Sequence, residues 1–217
     1  MITTTLLIVL GIALVAVIGL MLRPQGNKQA KAVGGKPPVI PISAGGSTDL
    51  LNARPGDVIS VHAAAQDFSD VDFTVDRRSA YQFGGRKWTD LSGEFRGQRV
   101  YLEVGPGPDP EITGMLNPRE LTLADVGATE EQMADLDAKQ NPALYLDFEG
   151  KRWHYESSRE LGYFENETGP GEGLYRWVFK EADGNRLLVM EKWEGEPFEG
   201  RIGQRLRLAD VSVFRAA

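Results

Sequence analysis

Side chains able to do chemistry are few and scattered. There is no cysteine, which excludes disulfides, thiolate nucleophiles and cysteine-ligated zinc. Of the two histidines, His62 follows "VISV" at the expected end of a strand, and His154 stands between Trp153 and Tyr155. In an extended strand His154 therefore points away from both rings. Neither histidine sits in an H-E-x-x-H pattern, and no G-x-S-x-G elbow is present. Carboxylates are more plentiful: Glu191, Glu194, Glu196 and Glu199 crowd into "MEKWEGEPFEG". Two acids with pKa values pushed apart can hydrolyse a bond held between them, but acids around a Gly-Pro turn are ordinarily solvated. The stretch "GPGPDPE" at 105–111 has the glycines of a phosphate loop without its Lys-Ser/Thr, and its three prolines remove backbone donors. Asn166-Glu167-Thr168 satisfies a glycosylation pattern short enough to arise by chance. These residues assign no catalytic, cofactor-binding or metal-ligating role, and the chain is not read as an enzyme.

The aromatics are the stronger candidates for function. In "GLYRWVFKE", Tyr175, Trp177 and Phe179 fall on one face of a strand, with Leu174, Arg176, Val178 and Lys180 on the other. That aromatic face either packs into the core or docks a partner. Trp88 and Trp153 carry the same two readings. The candidate interaction residues are thus Trp88, Trp153, Tyr175, Trp177 and Phe179.

The elements that must position them are mostly strands. Val71, Phe73 and Val75 alternate with polar residues in "DVDFTVD", the period of a half-buried strand. Hairpins are expected around Gly84-Gly85, Glu149-Gly150 and Asp183-Gly184, and "RVYLEVG" puts Val100, Leu102 and Val104 on one face. "QRLRLADVSVF" reads as a final strand. A single helix interrupts: Thr129 and Gln132 form a capping box ahead of "EEQMADLDAK", whose thin apolar face is Met133, Leu136 and Ala134. The pattern F-x-G-basic-basic-W occurs at Phe83–Trp88 and again at Phe148–Trp153. It suggests two pseudo-repeated antiparallel β-meanders, at about 50–125 and 140–217, joined by the short helix. They would form two packed sheets or one curved sheet, with Trp88 and Trp153 as matching core pegs.

The order "RPGDVISV", "YQFGGRKWTDL", "VYLEVG", "FEGKRWHYESS" and "LLVMEKWEGEPFEGRIGQRL" resembles the bacterial family called domain of unknown function 4178, over roughly residues 54–215. What is shared is turn glycines, tryptophans and strand-end glutamates. The resemblance implies an accessory role, since members like this one often occur as membrane-linked proteins beside envelope-stress genes. It transfers no catalytic residue.

Ahead of the β-rich part, residues 2–22 carry no charge. At about 1.5 Å per residue such a helix spans a bilayer's hydrocarbon core of roughly 30 Å. No basic residue precedes the run and no small-x-small site follows it, which argues for an uncleaved single-pass anchor rather than a signal peptide. Arg23, Lys28, Lys31 and Lys36 all lie on its C-terminal side, ahead of the first acid, Asp49. The positive-inside bias then puts the N-terminus outside and the large domain in the cytoplasm, at the inner (plasma) membrane. Residues 23–49, rich in Gly and Pro, read as a flexible tether, and 50–217 as the β-rich domain. Beyond the four tether cations the chain has 20 basic against 31 acidic side chains, so nucleic acid is not an expected partner. The expected partners are the bilayer, through residues 2–22, and a protein. The leading expectation is a membrane-anchored, non-enzymatic scaffold with no cofactor. The alternatives are a regulatory module that senses a small molecule in a sheet-lined cleft, and a carboxylate-dependent hydrolase.

Overall fold

The computed structural model describes residues 47–216. The anchor at 2–22 and the tether up to residue 46 lie outside the described residues. Among the described residues no helix is long and apolar enough to cross a membrane. The last residues assigned to the tether belong instead to a short helix, α1 (Ser47–Leu51). Its Leu50 is buried against the first apolar cluster.

Strands dominate the rest. They are β1 (Val58–Val61), β2 (Val71–Phe83), β3 (Arg86–Phe95), β4 (Gln98–Val104), β5 (Ile112–Leu121), β6 (Tyr145–Phe148), β7 (Lys151–Phe164), β8 (Glu172–Glu181), β9 (Arg186–Trp193), β10 (Phe198–Leu206) and β11 (Val211–Phe214). The sheet order is β11-β1-β2-β3-β4-β5-β10-β9-β8-β7-β6, and every pairing is antiparallel. The hairpin turns at Gly84-Gly85 and Glu149-Gly150 have positive φ at both positions (54° and 77°; 53° and 70°), the turn whose twist suits a two-residue hairpin. The helix α2 (Glu130–Lys139) begins with the capping box Thr129/Gln132 and buries Met133 and Leu136. Ala134 is exposed.

One further pairing changes the architecture. Ala80–Gln82 of β2 pair with Gly162–Phe164 of β7. The strands β2-β3-β4-β5-β10-β9-β8-β7 therefore form a ring, with β1 and β11 continuing beyond β2 and β6 beyond β7. Both long strands that make this seam carry a register shift, between Val75 and Arg77 in β2 and between Tyr155 and Ser157 in β7. An extra residue of this kind bends a strand and swaps its faces. Each long strand thus pairs its first part with a short outer strand and turns its later part toward the ring's inside.

Two sequence expectations are corrected here. The stretch "QRLRLADVSVF" is not one strand: a 3-10 turn at Leu208–Asp210 separates β10 from β11, which crosses to pair with β1 at the far edge of the first half. The F-x-G-basic-basic-W copies are not equivalent in place. The first makes the β2–β3 turn and the second the β6–β7 turn, one hairpin out of step in the strand order. Accordingly Trp88 is half-buried while Trp153 is fully buried.

Both outer faces of the ring are apolar cores. In the first half, Ile59, Val71, Phe73, Leu91, Leu102 and Val213 gather under β1 and β11. In the second, Trp153, Phe179, Leu188 and Met190 pack with Met133 and Leu136 of α2. The inner face is different, because charged side chains meet there.

Candidate functional site

Two cross-strand pairs, one from each half, face each other inside the ring. In β3–β4, Asp90 lies opposite Glu103; in β8–β9, Arg176 lies opposite Glu191. The Arg176 guanidinium donates to Glu191 Oε1 from Nε at 2.8 Å and from Nη2 at 2.5 Å, and to Glu103 Oε2 from Nη1 at 2.9 Å. Strands β4 and β8 are not neighbours in the sheet, so the Glu103 contact spans the interior. The ring of Tyr81 stacks on Arg176 at 4.0 Å, and Arg201 joins Glu191 at 3.3 Å and lies over Tyr101 at 5.2 Å.

Burial governs the electrostatics. It pushes the Asp90 carboxyl up to about 7, with the neighbouring Glu103 charge adding to the effect. Burial likewise raises Glu103, against the pull of Arg176, and lifts the Tyr81 phenol well above its ordinary value. For Arg176 burial opposes the charged form, but the Glu103 and Glu191 carboxylates outweigh it and keep the cation. Asp90 Oδ1 has no hydrogen-bond partner, which adds to the cost of its charged form in this buried place. Truncating one member of such a cluster strands the others.

Above the cluster opens a cleft of about 430 Å³. Its floor is Tyr81, Arg176 and Glu103, its apolar lining includes Leu161, Val178 and Val189, and its mouth holds Trp88, Arg86 and Arg159. Arg86 lies 5.4 Å over the Trp88 ring and Arg159 5.4 Å over Phe83. The "GPGPDPE" segment forms one wall through Gly105, Pro106, Asp109 and Glu111. Asp90 sits behind this lining, 2% exposed, and Glu103 is held by Arg176. Asp90 therefore does not reach the open space, whereas Glu103 lines it while paired to Arg176. Among the described residues no group of three or more histidines and carboxylates is placed to hold a metal ion.

The aromatics singled out in the sequence are not brought together at this site. Trp153 and Phe179 are 0% exposed and Trp177 is 6% exposed; side chains buried to that degree cannot meet a partner, which removes them as docking residues. The Trp177 indole donates to the Met133 carbonyl at 3.0 Å, and Trp153 to that of Phe148 at 3.1 Å. Tyr175 is half-buried with its hydroxyl on Asp137 Oδ1 at 2.7 Å. Trp88 alone of the five reaches the cleft. His62 is exposed beside Asp70, and His154 packs edge-on to Tyr145. Of the clustered glutamates, Glu194 and Glu196 are solvated in the turn after β9 and Glu199 pairs with Arg201, but Glu191 is buried. Asp90, Glu103 and Arg176 were not singled out by sequence reasoning. The available signal was a charge set within strands that are apolar on both faces, as in "VYLEV", "LYRWVF" and "LLVMEKW".

Fold and site together define a closed, wholly antiparallel β domain with a charged interior and a mixed aromatic and polar cleft. The chain belongs to the family described as Domain of unknown function (DUF4178), which it matches over residues 55–208. No curated protein and no solved structure matches it.

Proposed function

We propose that this domain is a non-enzymatic, ligand-binding regulatory module, held at the plasma membrane by residues 2–22 with its β-rich part on the cytoplasmic side. The observation that carries the binding reading is the cleft between the two halves. Its 430 Å³ falls in the size range of small-molecule sites, roughly 300–1,000 Å³. It combines a stacking platform, Trp88, with polar groups on a floor made rigid by the Arg176 cluster. A protein partner, the other expectation for this chain, would have to use a surface other than Trp153, Trp177 and Phe179.

The test is thermal stabilisation of the purified full chain by a panel of small polar metabolites. A ligand present at a hundred times its Kd adds about 2.7 kcal/mol, a shift of several degrees for a domain this size. Val178→Trp, which fills the half-buried lining, should abolish the shift. Shifts that persist in that variant would refute the cleft as the site.

A further inference from the structure

We infer that the ligand of this cleft is a small organic anion, a carboxylate or phosphate ester carrying a flat ring. The inference rests on the binding reading above and adds the ligand's charge and shape. It follows from which charges at the cleft are already satisfied. Arg176 is saturated by Glu103 and Glu191. Glu111 and Glu156 are both taken by Arg205, at 3.1 and 2.5 Å. Arg86 and Arg159 make no ion pair among the described residues, although arginines elsewhere in the ring, such as Arg77, Arg78, Arg99 and Arg201, do. Arg159 also lies directly opposite Arg176 in the β7–β8 pairing, so two cations neighbour each other with Arg176's acids on its far side. Asp109, on the proline-rich wall, is the one unpaired acid of the lining. The unmatched charge at the mouth is therefore positive.

Both free guanidiniums lie over rings, Arg86 over Trp88 and Arg159 over Phe83. A cation–π contact uses up no N–H donor, so each guanidinium keeps its donors for two oxygens of a carboxylate or phosphate. Trp88 is half-buried beside them, and Tyr81 continues the aromatic surface inward. A ring entering along that surface meets apolar Leu161 and Val178, while its acidic group remains at the two arginines. A cationic ligand would face the arginines with only Asp109 to answer it. An acidic chain that leaves two cations unpaired at one cleft gains selectivity for anions there rather than general attraction over its surface.

The experiment follows the indole N–H signal of Trp88, identified by its loss in Trp88→Phe, in NMR spectra of the isotope-labelled full chain in neutral detergent. Phenyl phosphate is the probe; inorganic phosphate, benzyl alcohol and benzylamine isolate its parts. Phenyl phosphate should move the signal saturably. Its Kd should rise tenfold or more in Arg159→Ala, again in the double variant with Arg86→Ala, and with added salt. Inorganic phosphate and benzyl alcohol should each bind at least tenfold more weakly, and benzylamine should not bind. Equal binding of benzylamine or benzyl alcohol, or indifference to both arginine substitutions, would overturn the anion assignment while leaving the cleft as a binding site. Inorganic phosphate binding as tightly as phenyl phosphate would overturn the ring. If no probe moves the Trp88 signal, the inference and the cleft reading fall together. Each arginine variant should keep the parent's other indole signals, which separates lost binding from lost fold.

Discussion

Replacing Trp153 by alanine should unfold this domain far more readily than replacing Trp88, although both occupy the same sequence pattern. Trp153 is 0% exposed, packs on Phe148 with ring centres 6.2 Å apart, has Arg186 5.1 Å above its ring and donates to the Phe148 carbonyl. Removing a large buried aromatic costs about 3–5 kcal/mol, and losing the indole hydrogen bond adds about 1 kcal/mol. At roughly 2–4 °C per kcal/mol for a domain of this size, the expected loss is about 10–20 °C in Tm. Trp88 is half-buried at the cleft mouth, and partial removal of apolar area at about 25 cal/mol per Å² gives about 1–2 kcal/mol, or some 3–6 °C. Circular-dichroism melts of the full-length variants in one detergent measure the difference. A loss of the larger size can exhaust a marginal domain, so Trp153→Phe, which keeps a ring but no donor, supplies an intermediate point. Equal shifts for the two alanine variants would refute the inequivalence of the two copies and restore them as matching pegs.

Other outcomes follow from the interior and from close packing. Asp90 has a folded pKa of about 7 against about 3.9 when unfolded, so between those values the folded state binds more protons. Its stability contribution is whole below about pH 4, is lost progressively as the pH rises toward 7, and is flat above. Urea midpoints of the parent should drop between pH 5 and 7, and Asp90→Asn, still beside Glu103, Glu191, Arg176 and Arg77, should lose most of that slope; an unchanged slope would remove Asp90 as its source. Gly93→Ala would put a methyl carbon 2.2 Å from the Thr74 carbonyl oxygen and 2.7 Å from the Phe73 ring, and should destabilise by about 1–3 kcal/mol through overpacking, read as a lower urea midpoint at constant slope.

Local signals in the chain carried far. Turn glycines located three hairpins, the capping box located α2, and alternation located β2 and β4. These are interactions between residues near in sequence, so their chemistry is written in short windows. Long-range closure is not. Nothing in "SAYQF" or "LGYF" announces that Ala80–Gln82 meet Gly162–Phe164, and β11 reaches β1 from the other end of the domain. The repeated motif misled for the same reason: a two-residue turn with basic flanks serves any hairpin, and only the strand order distinguishes one hairpin from the next. The site was the least legible part, because a buried charge in a strand looks like a solvated one until its cross-interior partner is known. Arg176 could be placed on a face, but Glu103 lies across the ring from it.

The seam that closes the ring is only three residue pairs long, whereas β7 and β8 pair along nearly their whole length. Apart from the β1–β11 pairing, contacts within each half join strands adjacent in sequence, whereas the β2–β7 seam and the β5–β10 pairing join residues about 80 to 94 positions apart. Closing loops of that size has an entropic cost that only later contacts offset. The hairpins of each half can therefore form first, and the ring should shut last. In the finished molecule the same seam is the place to part first. Amide protons of Gly162–Phe164 should exchange with solvent faster than those in the middle of β8, reporting a gate between the halves that opens without unfolding either one.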